Sequence, residues 1–431
     1  MNIYNCQEAF GSWDKTSRAM GDAVKEWFQL YYRSAVTGGE DPCQRIAYTV
    51  VSKLVRTVFS EYAARSDSPF VRQVLTALNE AKETAVQLAL VGGESYLKPW
   101  VDGDGFRFTV IPRDHILIFG RDAGGSPTDV GTMERSTMGN CYYTLLERRS
   151  VDAEGCLTIE NRLYRAYGAD TLGQPVALSA HPLYAGLPER YRFDAPVGSV
   201  GLIRVKTPML NCVDGSSDGV SVYAAAAGLI HSIDKNEYQL SGEFDRGQSR
   251  VFASTDLLRD GQLESTLFVG LDEDPERLGL TVFAPQLREQ SFLARKQEYL
   301  RNVESLIGLK RGTLCDANMD QRTATEISAS AAEHNLTVMD FQAMWELALR
   351  QAVGLCAALG QLYRLPGAAE AQVFVDWGNG VLYDEDKQWQ DYKDMVARGL
   401  LMPEVALGWR FGMAAETEAQ RKAIRERYLG S

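Results

Sequence analysis

The stretch Thr323-Ala324-Thr325-Glu326-Ile327-Ser328-Ala329-Ser330-Ala331 opens the element that decides the fold. Thr323 and Glu326 have the spacing of a capping box, in which the threonine caps the helix and the glutamate reaches back. Apolar or small residues then recur at Ile327, Ala331, Val338, Phe341, Trp345, Ala348, Ala352, Cys356, Leu359 and Tyr363, nearly all in helical steps. No proline interrupts before Pro366. About 42 residues at 1.5 Å each make a rod of roughly 60 Å. That is too long for a compact domain of ordinary size, so the element reads as a spine.

The segments around it differ in texture. Residues 308–320 read as a loop carrying the basic tip Lys310-Arg311 between Gly308 and Gly312. Residues 286–307 read as a helix charged on most faces (Arg288, Glu289, Arg295, Lys296, Glu298, Arg301, Glu304) with only a narrow apolar stripe. Such a helix buries little by itself and makes sense packed sideways against copies of itself or facing a solvent-filled space. Before it, residues 247–285 form a compact stretch with strand-like pieces at 250–253 and 280–283 and the acidic run Asp272-Glu273-Asp274. A helix is predicted over 220–240, after a loop at 211–219. Residues 94–206 alternate in short runs between turn residues, the pattern of an antiparallel β region. Two helices are predicted upstream, at 47–62 and 69–91, the second stopped by Gly92-Gly93. Downstream come a strand at 373–377 and helices at 384–398, 403–409 and 416–428.

The 431 residues carry 45 Lys+Arg against 57 Asp+Glu, a formal charge of −12. With 45% hydrophobic and 24% charged residues, the chain is neither disordered nor collagen-like. The longest nearly apolar stretch, 220–230, falls far short of the ~18 residues of a membrane span. The first residues show no signal-peptide pattern. The seven cysteines are odd in number, scattered and without a Cys-x-x-Cys pair, so reduced thiols are expected rather than disulfides or zinc. The acidic balance argues against a surface that grips nucleic acid all over, though not against a body that surrounds DNA without holding it.

Gly215-Ser216-Ser217-Asp218-Gly219 matches Gly-x-Ser-x-Gly between a strand-like run and a helix, which makes Ser217 a candidate nucleophile. The partners are poor: the only histidines are His115, His181, His231 and His334. A Gly/Ser/Asp loop capping a helix explains the same residues without chemistry. There is no Walker loop, no His-Glu-x-x-His and no strand-linked Gly-x-Gly-x-x-Gly. The expectation is a protein without catalysis, cofactor or metal, the alternative a serine hydrolase using Ser217.

A β-rich body, a helix, a compact insert, a charged helix, a loop and a very long helix, in that order, resemble a tailed-bacteriophage portal protein. Gln321-Arg322-Thr323-Ala324-Thr325-Glu326-Ile327 is similar to the (Lys/Arg)-Thr-Ala-Thr-Glu-(Ile/Val) start of the spine helix in portals of phages of Gram-positive bacteria. Leu172-Gly173-Gln174-Pro175-Val176, the run from Lys206-Thr207-Pro208 to Asn211, and Gly219-Val220-Ser221-Val222 fall in the family's order. So do Asp384, Gly399-Leu400-Leu401 and Glu416-Thr417-Glu418-Ala419.

The resemblance implies an α+β portal-like fold. Residues 1–210 would hold the N-terminal helices and β-rich wing, 211–246 the first stem helix, 247–287 a small α/β clip and 288–308 the second stem helix. Residues 309–319 would form the tunnel loop, 320–365 the spine, and 366–431 a wing-closing strand with a small crown-like helical segment. It further implies a homo-oligomeric ring, usually a dodecamer, at one vertex of the capsid. Duplex DNA would pass through non-specifically during packaging and ejection, driven by a separate ATPase, the terminase. Further partners would be a head-completion adaptor and the major capsid and scaffolding proteins, with no membrane. The protein would be made in the bacterial cytoplasm and end in the virion. Arg295, Lys296, Lys310 and Arg311 are the candidates for loose phosphate contacts in the channel. Asp272, Glu273 and Asp274 are the candidates for docking terminase or adaptor. A phage scaffold or adaptor without a channel is the other reading.

Overall fold

The computed structural model describes residues 3–32, 42–103, 105–247, 250–254, 268–271, 281–283, 286–316, 324–378, 385–415 and 417–428. The chain is a mixed α+β protein, 47% helical and 22% strand. It divides into two compact units: Met1–Val55 with Ser66–Gln372, and Arg56–Arg65 with Val373–Ser431.

The N-terminal part contains α1 (Asn5–Phe10), α2 (Arg18–Tyr32), α3 (Ile46–Val58), a short strand β1 (Ala63–Arg65) and α4 (Pro69–Gly92). Helix α4 begins as its sequence dictates: the Ser68 hydroxyl accepts from the Val71 amide, and Pro69 fills a first-turn position that needs no donor. It ends at Gly93 in the left-handed conformation (φ 84°), where a Cβ would lie 2.2 Å from the Gly219 carbonyl oxygen. Only glycine satisfies both conditions. Val71, Val74, Leu78, Ala85, Val86, Ala89 and Leu90 are buried on this helix, which packs on the sheet that follows.

That sheet has the order β10-β2-β3, with β2 (Glu94–Asp102) and β3 (Gly105–Pro112) as an antiparallel hairpin and β10 (Ile203–Lys206) antiparallel to β2. A second, six-stranded sheet is a meander of β4 (Ile116–Arg121), β5 (Pro127–Met138), β6 (Cys141–Val151), β7 (Cys156–Ala166) and β8 (Gln174–Val176), with β9 (Arg190–Pro196) also on β7. Tyr96, Ile111, Ile116, Ile118, Val130, Val200 and Leu202 form one core joining the two sheets. The antiparallel reading of 94–206 matches this architecture. Strand β2 itself escaped that reading because Glu94 to Pro99 are buried on both faces, which erases the alternation that marks a half-exposed strand.

A charge cluster ties β2 to the meander. Lys98 pairs with Glu134 and, at 3.2 Å, with Glu147, while Arg149 Nε lies 2.6 Å from Glu147. Burial alone would raise the Glu147 carboxyl, but Arg149 and Lys98 outweigh it and lower it from 4.5 to about 2. A depressed carboxylate contributes its stability above its unfolded value and loses it as pH falls through the folded one. The protein is therefore expected to lose about 3 kcal/mol from this group between pH 4.5 and 2. Urea titrations across that window test it: Glu147→Gln should flatten the acid limb, and an equally steep limb in the variant would refute the assignment.

A 3₁₀ turn (Ala224–Ala226) leads into α5 (Ala227–Arg246). This helix starts seven residues later than the predicted 220. Val220, Val222 and Tyr223 are instead buried non-helical chain, with the Val222 amide on the Leu90 carbonyl and the Tyr223 hydroxyl on the Trp27 carbonyl. Three short strands follow, β11 (Arg250–Ser254), β12 (Phe268–Leu271) and β13 (Thr281–Phe283), with β11 central, parallel to β12 and antiparallel to β13. The strand-like pieces at 250–253 and 280–283 correspond to the β11–β13 pair, and β12 is an addition.

Helix α6 (Glu289–Ile307) returns antiparallel along α5, zipped by Arg288 on Glu243 (2.9 and 2.7 Å), Lys296 on Glu237 (3.0 Å) and the Asn236 amide on the Phe292 carbonyl (3.1 Å). Helix α7 (Ala324–Leu362) has 39 residues, about 58 Å of rise. Its predicted periodicity appears as the buried set Val338, Phe341, Trp345, Ala348, Ala352, Cys356 and Leu359. The Thr323 end of the capping box lies outside the described residues.

In the second unit, β14 (Phe374–Asp376) pairs antiparallel with β1. Trp377 packs on Phe59 and Tyr62, with ring centroids 6.3 and 4.9 Å away. Helices α8 (Glu385–Ala397), α9 (Pro403–Arg410) and α10 (Glu418–Tyr428) complete it, α9 and α10 closing over Ala406 and Ile424. Their bounds follow the predicted helices within two residues. Among the described residues, no helix is long and apolar enough to cross a membrane.

Candidate functional site

The loop after α6 is built on a buried carboxylate. Gly308, left-handed at φ 74°, ends the helix, and its amide turns back to the Glu304 and Ser305 carbonyls. The Glu304 side chain, fully buried, then collects the loop. Its Oε1 accepts from the Leu314 and Cys315 amides at 2.5 and 3.1 Å, and its Oε2 from the Gly312 amide at 3.2 Å and the Cys315 thiol at 3.1 Å. Burial first, and the Glu304 contact next, raise the Cys315 thiol pKa, so the thiol keeps the proton it donates.

Further ties hold the loop from outside. Lys53 of α3 donates to the Thr313 carbonyl, and the Asp316 amide donates to Gln297 at 2.8 Å. A Cβ on Gly308 would sit 2.3 Å from Thr337 Oγ1, so α7 is packed close against the turn. At His334, one turn away, burial pushes the pKa down, opposed by a backbone hydrogen bond at Gly308 and aided by Lys310. With Leu309 and Cys315 tucked under, Lys310 and Arg311 are left as an exposed cationic tip on a pinned backbone.

The four predicted channel cations do not form one cluster. Arg295 is exposed on α6 and lies over the Tyr299 ring at 5.3 Å, about 18 Å of helix rise from Ile307. Lys296 is engaged within the subunit. Its ammonium is held between Glu237 (3.0 Å) and Gln44 Oε1 (2.7 Å), where it fastens α6 to α5 and to the chain before α3. Asp272, Glu273 and Asp274 lie outside the described residues.

Sequence reading missed Glu304, counting it among the solvated charges of a polar helix. A signal was present: Glu304 lies four residues after Leu300 and three before Ile307, in register with the apolar stripe. A carboxylate on the buried stripe of a helix needs donors, and a glycine-rich loop directly after it supplies amides.

Among the described residues, Ser217 has no hydrogen bond to a histidine. Its hydroxyl donates to the Gly125 carbonyl at 3.4 Å and its carbonyl accepts from Arg204 at 3.0 Å. His231 is bound to Glu26 at 2.8 Å, His181 packs between Tyr143 and Tyr184, and His334 belongs to the loop site. The Gly-x-Ser-x-Gly segment is a set of turns. Asn211 Oδ1 accepts from the Val213 and Asp214 amides, Asp214 accepts from Ser17 and the Ser216 amide, and Asp218 is delivered to Arg121. The predicted helix cap is thus corrected to a loop that pins an aspartate, since α5 begins eight residues beyond Gly219. Among the described residues, no group of three or more His, Cys, Asp or Glu could hold a metal ion.

No family model matches the chain, and no curated protein matches it.

Proposed function

We propose that the chain is the subunit of a phage portal, a ring that surrounds duplex DNA at one capsid vertex. The observation that carries this reading is the linear succession of an antiparallel helix pair bracketing a small sheet, a pinned loop with a cationic tip, and a 39-residue helix. In this reading α5 and α6 are the stem, β11 to β13 belong to the clip, the Glu304-clamped loop is the tunnel loop and α7 is the spine. The last three helices are the small crown-like segment.

Surface chemistry supports the reading. Tyr238, Phe244, Leu293 and Leu306 are exposed apolar residues on the helix pair, which lateral contact with a neighbouring copy would cover. Arg295, Lys310 and Arg311 supply sparse, sequence-independent phosphate contacts in a body of net charge −12, so DNA slides more than it adheres. The motor is a separate ATPase, in keeping with a sequence that has no Walker loop. Terminase and the head-completion adaptor dock on the clip, where Asp272, Glu273 and Asp274 remain the proposed contacts.

Light scattering on the purified protein tests assembly. A ring of about twelve copies has a mass near twelve times 47.8 kDa, whereas a chain that stays monomeric at high concentration, with scaffolding protein present, refutes the reading. In assembled rings, Lys310→Ala and Arg311→Ala should leave the mass unchanged and weaken duplex binding evenly across sequences, with a shallower salt dependence. A sequence-dependent loss would contradict a passive channel.

A further inference from the structure

A cleft of about 560 Å³ runs between α7 and the β10 side of the first unit. Leu347, Gln351 and Leu355 of α7 form one wall, Val197 and Ser199 face them, and Lys206 stands at the end of β10. An apolar ridge leads into it: Leu336, Met339 and Leu347, 63%, 48% and 61% exposed, lie with Ala343 on one side of α7 at helical spacing. Apolar side chains this exposed along a continuous line mark a contact surface.

Charged groups crowd the end of the cleft. Arg113, Arg121, Arg204 and Lys206 stand among Glu94, Asp218, Asp14 and the rim residue Asp122. The arginines are bound to Glu94 and Asp218, whereas Lys206 has no ion pair among the described residues. Burial, and then the neighbouring Arg204, depress the Lys206 pKa, against the smaller opposing pull of Glu94 and Asp218.

The same unit carries a feature of matching character. In the connection from β8 to β9, Leu183 and Leu187 are 72% and 37% exposed, and Glu189 is exposed beside them. The lobe is preorganised, because Asn161 donates its side-chain amide to the Pro188 carbonyl (2.9 Å) and its backbone amide to the Glu189 carbonyl (2.8 Å).

We propose that the Leu183–Glu189 lobe of a second copy of this chain docks in the cleft, leucines along the α7 ridge and Glu189 on Lys206. The cleft and the lobe are different surfaces, so the contact is head-to-tail and propagates around a ring. The inference rests on the ring reading and names one of its contacts.

Charge exchange tests it. Lys206→Glu and Glu189→Lys should each raise the concentration at which half the protein is assembled by roughly tenfold or more, with unchanged melting temperatures. The double variant should assemble like the wild type. Single variants that assemble normally, or a double variant no better than either single, overturn the docking while leaving the ring intact. A wild-type chain that never assembles overturns both. Protection of residues 183–189 and 347–358 from amide exchange in a wild-type oligomer that is not a closed ring would support the contact and refute the portal.

Discussion

Glu304→Ala should lower the unfolding free energy by about 3 kcal/mol or more, through loss of acceptors for three backbone amides and a thiol. Each buried donor left without a partner costs about 1–3 kcal/mol, and water enters poorly where Leu309 and Cys315 pack beneath the loop. Glu304→Gln should recover only part of the loss, because the amide turns a donor toward groups that are themselves donors. Urea denaturation gives the magnitude. Amide exchange gives the location: Gly312, Leu314 and Cys315 should lose protection together. A variant within 0.5 kcal/mol of the wild type, the ordinary range for a surface position, would mean that the carboxylate does not hold the loop.

Glu94→Ala should cost about 3–5 kcal/mol, because it leaves guanidiniums buried without their carboxylate. Glu94 is fully buried, with Arg113 Nε at 2.9 Å, Arg204 Nε at 2.6 Å and the Tyr96 hydroxyl at 3.1 Å. Burial would raise its carboxyl pKa, but Arg204 and Arg113 hold it below its ordinary value. The cluster ties distant segments together. Arg113 reaches the Ile116 carbonyl and Thr16, Arg204 reaches the Ser217 carbonyl, and Asp218 closes the set through Arg121. Thermal unfolding of Glu94→Ala and of the double variant Glu94→Met with Arg113→Met separates charge from packing. The double variant should be the more stable of the two, since it buries no unpaired Arg113. If Glu94→Ala melts with the wild type, the cluster is not a determinant of the fold.

Legibility in the sequence follows the range of the interactions. The long helix, α4 with its Pro69 start and Gly92-Gly93 stop, and the three C-terminal helices all announced themselves, because helical spacing and end-marking residues act over a few positions. The pairing of Ala63–Arg65 with Phe374–Asp376 did not, since three residues carry too little pattern to reveal a partner more than three hundred positions away. At the candidate site, the loop and its Lys310-Arg311 tip were readable from Gly308 and Gly312. The roles of Glu304 and Lys296 were not. Both are charges on a helix that reads as solvated, and only tertiary structure shows one buried under a loop and the other paired with Glu237, 59 positions earlier. At Ser217 the motif fitted a nucleophile and a turn alike, and its contacts in the structure are those of a turn.

The most direct test of the portal reading is electron microscopy of the purified protein at a concentration where light scattering shows assembly. The expected particles are rotationally symmetric rings with an open central hole wide enough for duplex DNA, lined at its narrowest level by residues 309–316. A closed particle without an axial hole, or rings whose Lys310-Arg311 tips lie on the outer rim, would contradict it.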